Sequence, residues 1–375
     1  MTEALRPAGR SAPVLVAAGG TGGHLFPAEA LAAALQRHGL IVHLATDHRA
    51  SQFGGAFADN RVHVVASATV QGRDPIALMR TAGRLGTGFA QAWSLLGRLR
   101  PAAVVGFGGY PTIPPVLAGV WRRVPTVIHD ANAVIGRANR FLAPRVTAIA
   151  TSFPDLLAAA PKLAAKVTLT GNPVRPAVIA AAALPYLPAA EHIHLLVVGG
   201  SQGARIMSDI VPQAIGLLDA PLRTRLRIVQ QARPEDEARV RQAYAQTGVA
   251  AEIAPFFADL PARIAASHLV ISRAGASTVA ELGAIGRPSI LVPLPGALDQ
   301  DQFANAGVLE QAGGALRLTQ DAFTPQRLAA ETTALAAAPL RLPAMAQAAR
   351  SIGRLDAADR LADLVLRVAG IESRT

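Results

Sequence analysis

Short apolar runs that break into glycine, and then into an apolar repeat of three to four residues, recur along this 375-residue chain. In the first half the pattern predicts strands at Val14–Ala18, Ile41–Ala45, Val62–Val65, Ala103–Gly106, Thr126–His129, Thr147–Ala150 and Val167–Thr170. Between them apolar residues recur at i, i+3 and i+4, as in Ala28–His38, which is the period of an amphipathic helix. In the second half the predicted strands are His194–Val198, Arg227–Gln230, Ala251–Ala254, Leu269–Ser272 and Ser289–Val292. Strands alternating with helices imply parallel sheets covered by helices, an α/β class. The first pattern ends around Gly171-Asn172-Pro173-Val174-Arg175-Pro176, and an Ala/Pro-rich segment leads on from there. A hinge at that point divides the chain into domains of residues 1–174 and 175–349. The tail Met345–Ala369 reads as one or two amphipathic helices.

Each half opens in the same way. Val14-Leu15-Val16-Ala17-Ala18 runs into Gly19-Gly20-Thr21-Gly22-Gly23-His24, and Leu195-Leu196-Val197-Val198 into Gly199-Gly200-Ser201-Gln202-Gly203-Ala204-Arg205. A buried strand that breaks into glycines and then a helix begins a Rossmann-like, doubly wound domain. There the backbone N–H groups and the helix N-terminus make an anion site. Two such openings predict two domains facing each other across a cleft. The residues after the glycines differ, so the two halves are expected to hold different ligands. Neither loop reads Gly-x-Gly-x-x-Gly with an acidic residue about 20 positions on, which disfavours a dinucleotide oxidoreductase.

Composition narrows the class. The chain exceeds the about 250–300 residues at which single cores stop growing. It contains no cysteine, which excludes disulfides and thiolate metal sites. No cluster has metal-ligand spacing, so neither metal nor cofactor is expected. Met1–Pro13 lacks an apolar h-region, so a secretory signal is not expected. Pro101–Trp121 has no charged residue, yet Gly106, Gly108, Gly109, Pro111, Pro114 and Pro115 rule out a spanning helix. It reads as a buried strand, a turn and a helix start. The net charge of +11 sits almost wholly in the first half, where 17 basic residues face 7 acidic ones up to Thr170. A basic face points to an anionic membrane or acidic ligand. Nucleic acid is disfavoured, because aromatic residues make up only 4% and no nucleic-acid module is present.

Particular residues suggest chemistry. Ser201 and the N–H groups of the 199–203 loop suit a phosphate. Glu281 falls one turn into a helix that starts near Gly275-Ala276-Ser277-Thr278, at the carboxyl edge of the second sheet, where a carboxylate can accept ribose hydroxyls. His24 ends the first glycine loop, and an imidazole of pKa near ~6.5 suits a general base at neutral pH. In residues 73–100, Ile76, Leu78, Met79, Leu85, Phe89 and Trp93 interleave with Arg73, Arg80, Arg84, Arg98 and Arg100. That mixture suits an anionic interface and equally a core-facing helix.

Six motifs in fixed order carry a resemblance over about residues 13–365. They are Gly-Gly-Thr-Gly-Gly-His at 19–24, Gly-Phe-Gly-Gly-Tyr-Pro at 106–111, Gly-Asn-Pro-Val-Arg at 171–175 and Gly-Gly-Ser-Gln-Gly-Ala-Arg at 199–205. Ser-Arg-Ala-Gly-Ala-Ser-Thr-Val-Ala-Glu at 272–281 and Asp-Gln-Phe-Ala-Asn-Ala at 301–306 complete the set. The chain resembles the MurG family, the N-acetylglucosaminyltransferases of peptidoglycan synthesis.

The resemblance implies GT-B architecture, with a final helix, about 350–375, packing back on the N-terminal domain. It implies an inverting transfer of GlcNAc from UDP-GlcNAc to the MurNAc 4-hydroxyl of lipid I, giving lipid II. His24 would serve as base, with Gly108, Gly109 and Tyr110 on the acceptor. Thr21, Gly22 and Gly23 would hold the acceptor diphosphate or approach the donor sugar. Ser201, Ala276, Ser277, Thr278, Val279, Ala280 and Glu281 would bind the nucleotide, with Phe257 beside the uracil and Arg175 reaching the nucleotide side. Asn132, Gln302 and Asn305 would contact the donor sugar. The family usually has His-Glu-Gln-Asn where this chain has His129-Asp130-Ala131-Asn132, so Asp130 and Ala131 depart from its pattern. The implied setting is the cytoplasmic face of the bacterial inner membrane, as a peripheral protein, with an anionic lipid surface and other cell-wall synthesis proteins as partners. Another glycolipid transferase, a UDP-sugar epimerase of the same fold and a non-catalytic nucleotide-sugar-binding scaffold remain as rival readings.

Overall fold

The computed structural model describes residues 12–19, 22–48, 57, 61–67, 75–200 and 203–372, without the side chains of 75–78, 80–82 and 298. The chain divides into two compact units, Met1–Arg175 with Asp356–Thr375, and Pro176–Leu355. Thr21, Ser201 and Arg73 lie outside the described residues, as do the side chains of Ile76, Leu78 and Arg80.

In the first unit the order is β1 (Val14–Ala17), α1 (Gly22–Arg37), β2 (Val42–Thr46), β3 (Val62–Val64), α2 (Pro75–Leu99), β4 (Ala103–Gly106) and α3 (Ile113–Trp121). β5 (Thr126–Asp130), α4 (Arg137–Leu142), β6 (Ala148–Thr151), α5 (Pro161–Ala164) and β7 (Val167–Leu169) follow. The seven strands form one parallel sheet in the order β3-β2-β1-β4-β5-β6-β7. Strands covered on both faces must be apolar throughout, and β1 and β4 are buried at every position. Pro114 and Pro115 occupy the start of α3, where a missing N–H costs nothing.

The second unit runs α6 (Pro176–Ala182), β8 (Ile193–Val198), α7 (Arg205–Gly216), α8 (Ala220–Arg225), β9 (Leu226–Gln231), α9 (Pro234–Thr247) and β10 (Ala250–Ala254). It continues with α10 (Leu260–Ala266), β11 (Leu269–Ser272), α11 (Ala276–Ile285), β12 (Ser289–Leu291), α12 (Asp301–Gln311), β13 (Ala315–Arg317), α13 (Pro325–Ala337) and α14 (Arg341–Ile352). Its six strands are also parallel, ordered β10-β9-β8-β11-β12-β13. Arg287, 1% exposed, braces the base of this unit by donating to the carbonyls of Ala265, Ile285, Gly286, Leu184 and Pro185. A cation against the last carbonyls of α10 and α11 also complements their dipoles.

The last helix, α15 (Ala357–Ala369), belongs to the first unit. It buries Leu361, Leu364, Val365 and Leu366 in the core shared with β1 and α1, and Asp359 pairs with Arg37.

Strand order carries the functional consequence. In each sheet the winding reverses beside the strand that precedes a glycine loop, between β1 and β4 and between β8 and β11. Ligands of open α/β sheets bind at the carboxyl ends of strands at this switch point. The Gly-Phe-Gly-Gly-Tyr-Pro and Ser-Arg-Ala-Gly motifs leave β4 and β11, so each glycine loop shares its switch point with a second motif.

Candidate active site

In the first unit, Gly22, Gly23 and His24 form the first turn of α1 rather than the end of a loop. This places His24 over the turn that follows β4. A Cβ built on Gly108 would lie 3.5 Å from His24 Cε1, and one on Gly109 would lie 3.4 Å from Nε2. Both glycines have positive φ, 84° and 73°, so the backbone path favours glycine at each, and the imidazole lies in van der Waals reach of the turn. Burial holds the His24 imidazole below the usual histidine range, with the Phe107 main chain opposing. It is therefore neutral at pH 7 and able to accept a proton. Its Nδ1 is buried without a hydrogen-bond partner. Tyr110 is half-buried in the tight turn that follows, and Thr112 Oγ1 donates to the Gly109 carbonyl oxygen at 2.8 Å.

Behind this turn lies a polar network that the motifs only partly announce. His129, fully buried, donates from Nε2 to the Gly171 carbonyl oxygen at 3.1 Å. Burial pulls its pKa down to about 4, the Gly171 bond opposing and the nearby His24 adding to the effect. Asp130 ends β5 and accepts from Asn132 N at 3.1 Å, Gly136 N at 2.9 Å and Asn139 Nδ2 at 3.0 Å. Its carboxylate thus shapes the loop that carries Asn132. Asn139 also lies 3.4 Å from a Cβ built on Gly108, so it backs the turn on which His24 rests. The sequence does not announce Asn139, because a single amide in a short helix carries no periodic signal.

Arg175 closes the first unit. Its guanidinium lies 4.3 Å over the Phe26 ring, and Phe26 in turn packs against Gly22. Glu29 on the same helix has its carboxyl pushed up by burial, with Arg175 opposing.

In the second unit, a Cβ at Gly199 would fall 2.1 Å from Ala204 N, so only glycine permits this turn into α7. Gln231, at the end of β9, accepts from Gly199 N at 3.0 Å and donates to the Pro255 carbonyl oxygen at 3.1 Å. The glycine loop is thereby tied to the segment carrying Phe257. Phe257 is 8% exposed with Arg263 4.4 Å over its ring, whereas its neighbour Phe256 is 69% exposed.

β11 leads through Gly275 into α11, whose first N–H groups, from Ala276, Ser277 and Thr278, have no acceptor within the helix. Ser277 Oγ is buried there without a hydrogen-bond partner, and Glu281 is buried one turn further on, with Val279 and Ala280 between. Gln302 Oε1 accepts from Ala274 N at 3.3 Å and Leu294 N at 3.0 Å. These bonds fix the orientation of the amide, with Nε2 as its donor end. Asn305, fully buried, donates to the Ala274 carbonyl oxygen at 3.2 Å.

Among the described residues, no group of three or more His, Asp or Glu side chains is placed to hold a metal ion. None of the described helices is long and apolar enough to cross a membrane. On α2, Phe89 lies 5.9 Å from Trp93 and 5.3 Å from Trp121, and Arg122 stacks 4.1 Å over Trp93. Met79 and Trp121 are 74% and 68% exposed. Trp121 and Arg122 come from the end of α3, so no single stretch of sequence reveals the cluster. Arg98 instead donates to Ser94. With His63 these two residues line a cavity of about 600 Å³ between β3 and α2, which shares no residue with the glycine loops.

Residues 14–151 match the N-terminal domain of glycosyltransferase family 28, and residues 194–361 match its C-terminal domain. A UDP-N-acetylglucosamine–N-acetylmuramyl-(pentapeptide) pyrophosphoryl-undecaprenol N-acetylglucosamine transferase of Rhodopseudomonas palustris (strain BisB18) is 65% identical over 364 residues, covering 96% of this chain and 97% of the relative. An enzyme of the same name from Nitrobacter winogradskyi is 63% identical over 358 residues, covering 95% and 97%. The chain belongs to the MurG family of glycosyltransferases. Acinetobacter baumannii MurG superposes with a TM-score of 0.77 at 27% identity, covering 95% of this chain and 99% of that one. A UDP-GlcNAc 2-epimerase from Neisseria meningitidis shares the fold at 14% identity, with a TM-score of 0.66 and 95% and 100% of the two chains covered. Both MurG and this epimerase have the two-domain α/β architecture seen here.

Proposed function

We propose that this MurG-family chain transfers GlcNAc from UDP-GlcNAc to the 4-hydroxyl of the MurNAc unit of lipid I, releasing UDP and forming lipid II. The observation that carries the reading is the pair of differently furnished switch points. One offers a neutral imidazole on a glycine turn. The other offers a helix N-terminus with a buried, unpartnered serine hydroxyl and a buried glutamate.

In this reading His24 Nε2 takes the proton of the acceptor hydroxyl. The hydroxyl oxygen attacks C1 of GlcNAc on the face opposite the diphosphate. The C1–oxygen bond to the diphosphate breaks with its electron pair, and the anomeric configuration inverts. The departing charge is stabilised by the N-terminal N–H groups of α11, Ser277 and the 199–203 loop with Ser201. Glu281 accepts the ribose hydroxyls, and Asn132 and the Gln302 Nε2 read the sugar. Gly108, Gly109 and Tyr110 hold the acceptor with Thr21, Gly22 and Gly23, and Arg175 reaches toward the nucleotide. Lipid I is membrane-bound, so the enzyme works as a peripheral protein on the cytoplasmic face of the inner membrane. Phe89, Trp93, Trp121 and Arg122 suit an interfacial anchor, since tryptophan and arginine settle together at headgroup depth.

Purified protein incubated with labelled UDP-GlcNAc and a lipid I analogue tests the assignment. Label should move to the lipid with equimolar release of UDP. Isomerised UDP-sugar formed without acceptor, or UDP released with no labelled lipid, would contradict it.

A further inference from the structure

Arg273 leaves β11 one residue before the segment that binds Gln302 and Asn305, and it is 9% exposed. Among the described residues, none of its hydrogen-bond partners is a carboxylate. Nη1 donates to the carbonyl oxygens of Val292 and Pro293, each at 3.1 Å, and Nη2 donates to Gln320 Oε1 at 2.6 Å. Burying a guanidinium among neutral acceptors is costly, and burial lowers its pKa accordingly. A lysine could not reach three acceptors in one plane, whereas the guanidinium fork can.

The bonds converge on one stretch of chain. Arg273 holds Val292 and Pro293, Leu294 N donates to Gln302, and Ala274 donates to Gln302 and accepts from Asn305. Beyond Leu294 the chain passes through Asp299 and Gln300, whose φ values are 56° and 55°. Two successive non-glycine residues in the left-handed region are strained, and such a path persists only where its surroundings fix it. The strained pair immediately precedes α12, which carries Gln302.

We infer that Arg273 is a positioning residue for the donor sugar. By clamping the exit of β12 it fixes the path into α12 and so the place of the Gln302 amide. It thereby governs sugar selection and turnover while leaving nucleotide affinity alone. This rests on the proposed role of Gln302 at the donor sugar.

The test compares wild type, Arg273→Gln, Arg273→Lys and Gln320→Leu. UDP affinity is measured by calorimetry, and kcat/KM is measured with UDP-GlcNAc and with UDP-GalNAc. Arg273→Gln should lower kcat/KM for UDP-GlcNAc by roughly 10- to 100-fold, the usual effect of a small misplacement at a reacting centre. It should also narrow the preference over UDP-GalNAc while UDP affinity stays within about threefold. Arg273→Lys should recover only part of the loss, and Gln320→Leu should shift turnover and selectivity in the same direction by less. If Arg273→Gln does not fold, as judged by near-ultraviolet circular dichroism, Gln320→Leu decides. UDP affinity falling in parallel with turnover overturns the inference, because the charge would then be acting on the nucleotide. Unchanged turnover and selectivity overturn it as well. Wild-type protein that binds neither UDP nor UDP-GlcNAc overturns the donor-site reading beneath it.

Discussion

Asn139 Nδ2 donates to the Asp130 carboxylate at 3.0 Å and to the His129 carbonyl oxygen at 2.9 Å, binding the end of β5 to the first turn of α4. Two main-chain N–H groups, of Asn132 and Gly136, also donate to the carboxylate. Asp130→Ala leaves these donors without their acceptor. At about 1.5–3 kcal/mol for a hydrogen bond to a charged group, a loss of roughly 2–4 kcal/mol is expected, since partial rehydration offsets some of it. Urea unfolding checks this, and a change below about 0.5 kcal/mol would remove Asp130 from the network.

The donor site makes a kinetic prediction. Glu281→Ala should raise the KM for UDP-GlcNAc, losing up to about 2–4 kcal/mol of charge-assisted hydrogen bonding to ribose. UDP-GlcNAc should be preferred over UDP-GalNAc if Asn132 and Gln302 read the sugar. Native-like Glu281→Ala with wild-type kinetics would take Glu281 out of the site.

Acid should act on stability and rate separately. His129 titrates at about 4 when folded, against an ordinary histidine value of 6.5, so below pH 6.5 the unfolded chain binds the extra proton. Stability from this group is complete above pH 6.5 and falls by about 3 kcal/mol as pH drops to 4. His24 is shifted in the same direction. A base must be neutral, so the acid limb of kcat/KM should lie below pH 6.5. Urea midpoints from pH 4 to 8 and initial rates from pH 5 to 8 check the two. An acid limb above pH 7 would exclude His24 as the titrating base.

Membrane docking has its own signature. Binding to anionic vesicles should weaken as salt rises, because the basic first half acts across a screened surface. Trp121→Ala should weaken it further while turnover of a soluble acceptor analogue is unchanged. Vesicle binding indifferent to both would leave the aromatic cluster a packing feature.

Much of the architecture was legible because buried parallel strands are continuous apolar runs. Val14–Ala17, Ala103–Gly106 and Leu269–Ser272 stand out for that reason. β13 did not, since Ala315-Leu316-Arg317 is a three-residue edge strand with only its first position fully buried. The start of α1 carries no helical signal, because Gly22 and Gly23 are poor helix formers held helical by the fold. The motif glycines and His24 were visible in the sequence. Arg273, Gln231 and Asn139 carry no such signal, since their importance lies in main-chain partners distant in sequence.

The proposed mechanism divides the labour: His24 activates the acceptor while the other unit holds the nucleotide. Measuring kcat and UDP affinity of His24→Ala side by side tests it most directly. His24→Ala should lower kcat by roughly 10²–10⁴, the contribution of a positioned proton acceptor, and leave UDP affinity unchanged. A folded His24→Ala enzyme with near-normal kcat, or one whose UDP affinity falls as far as its turnover, would contradict it.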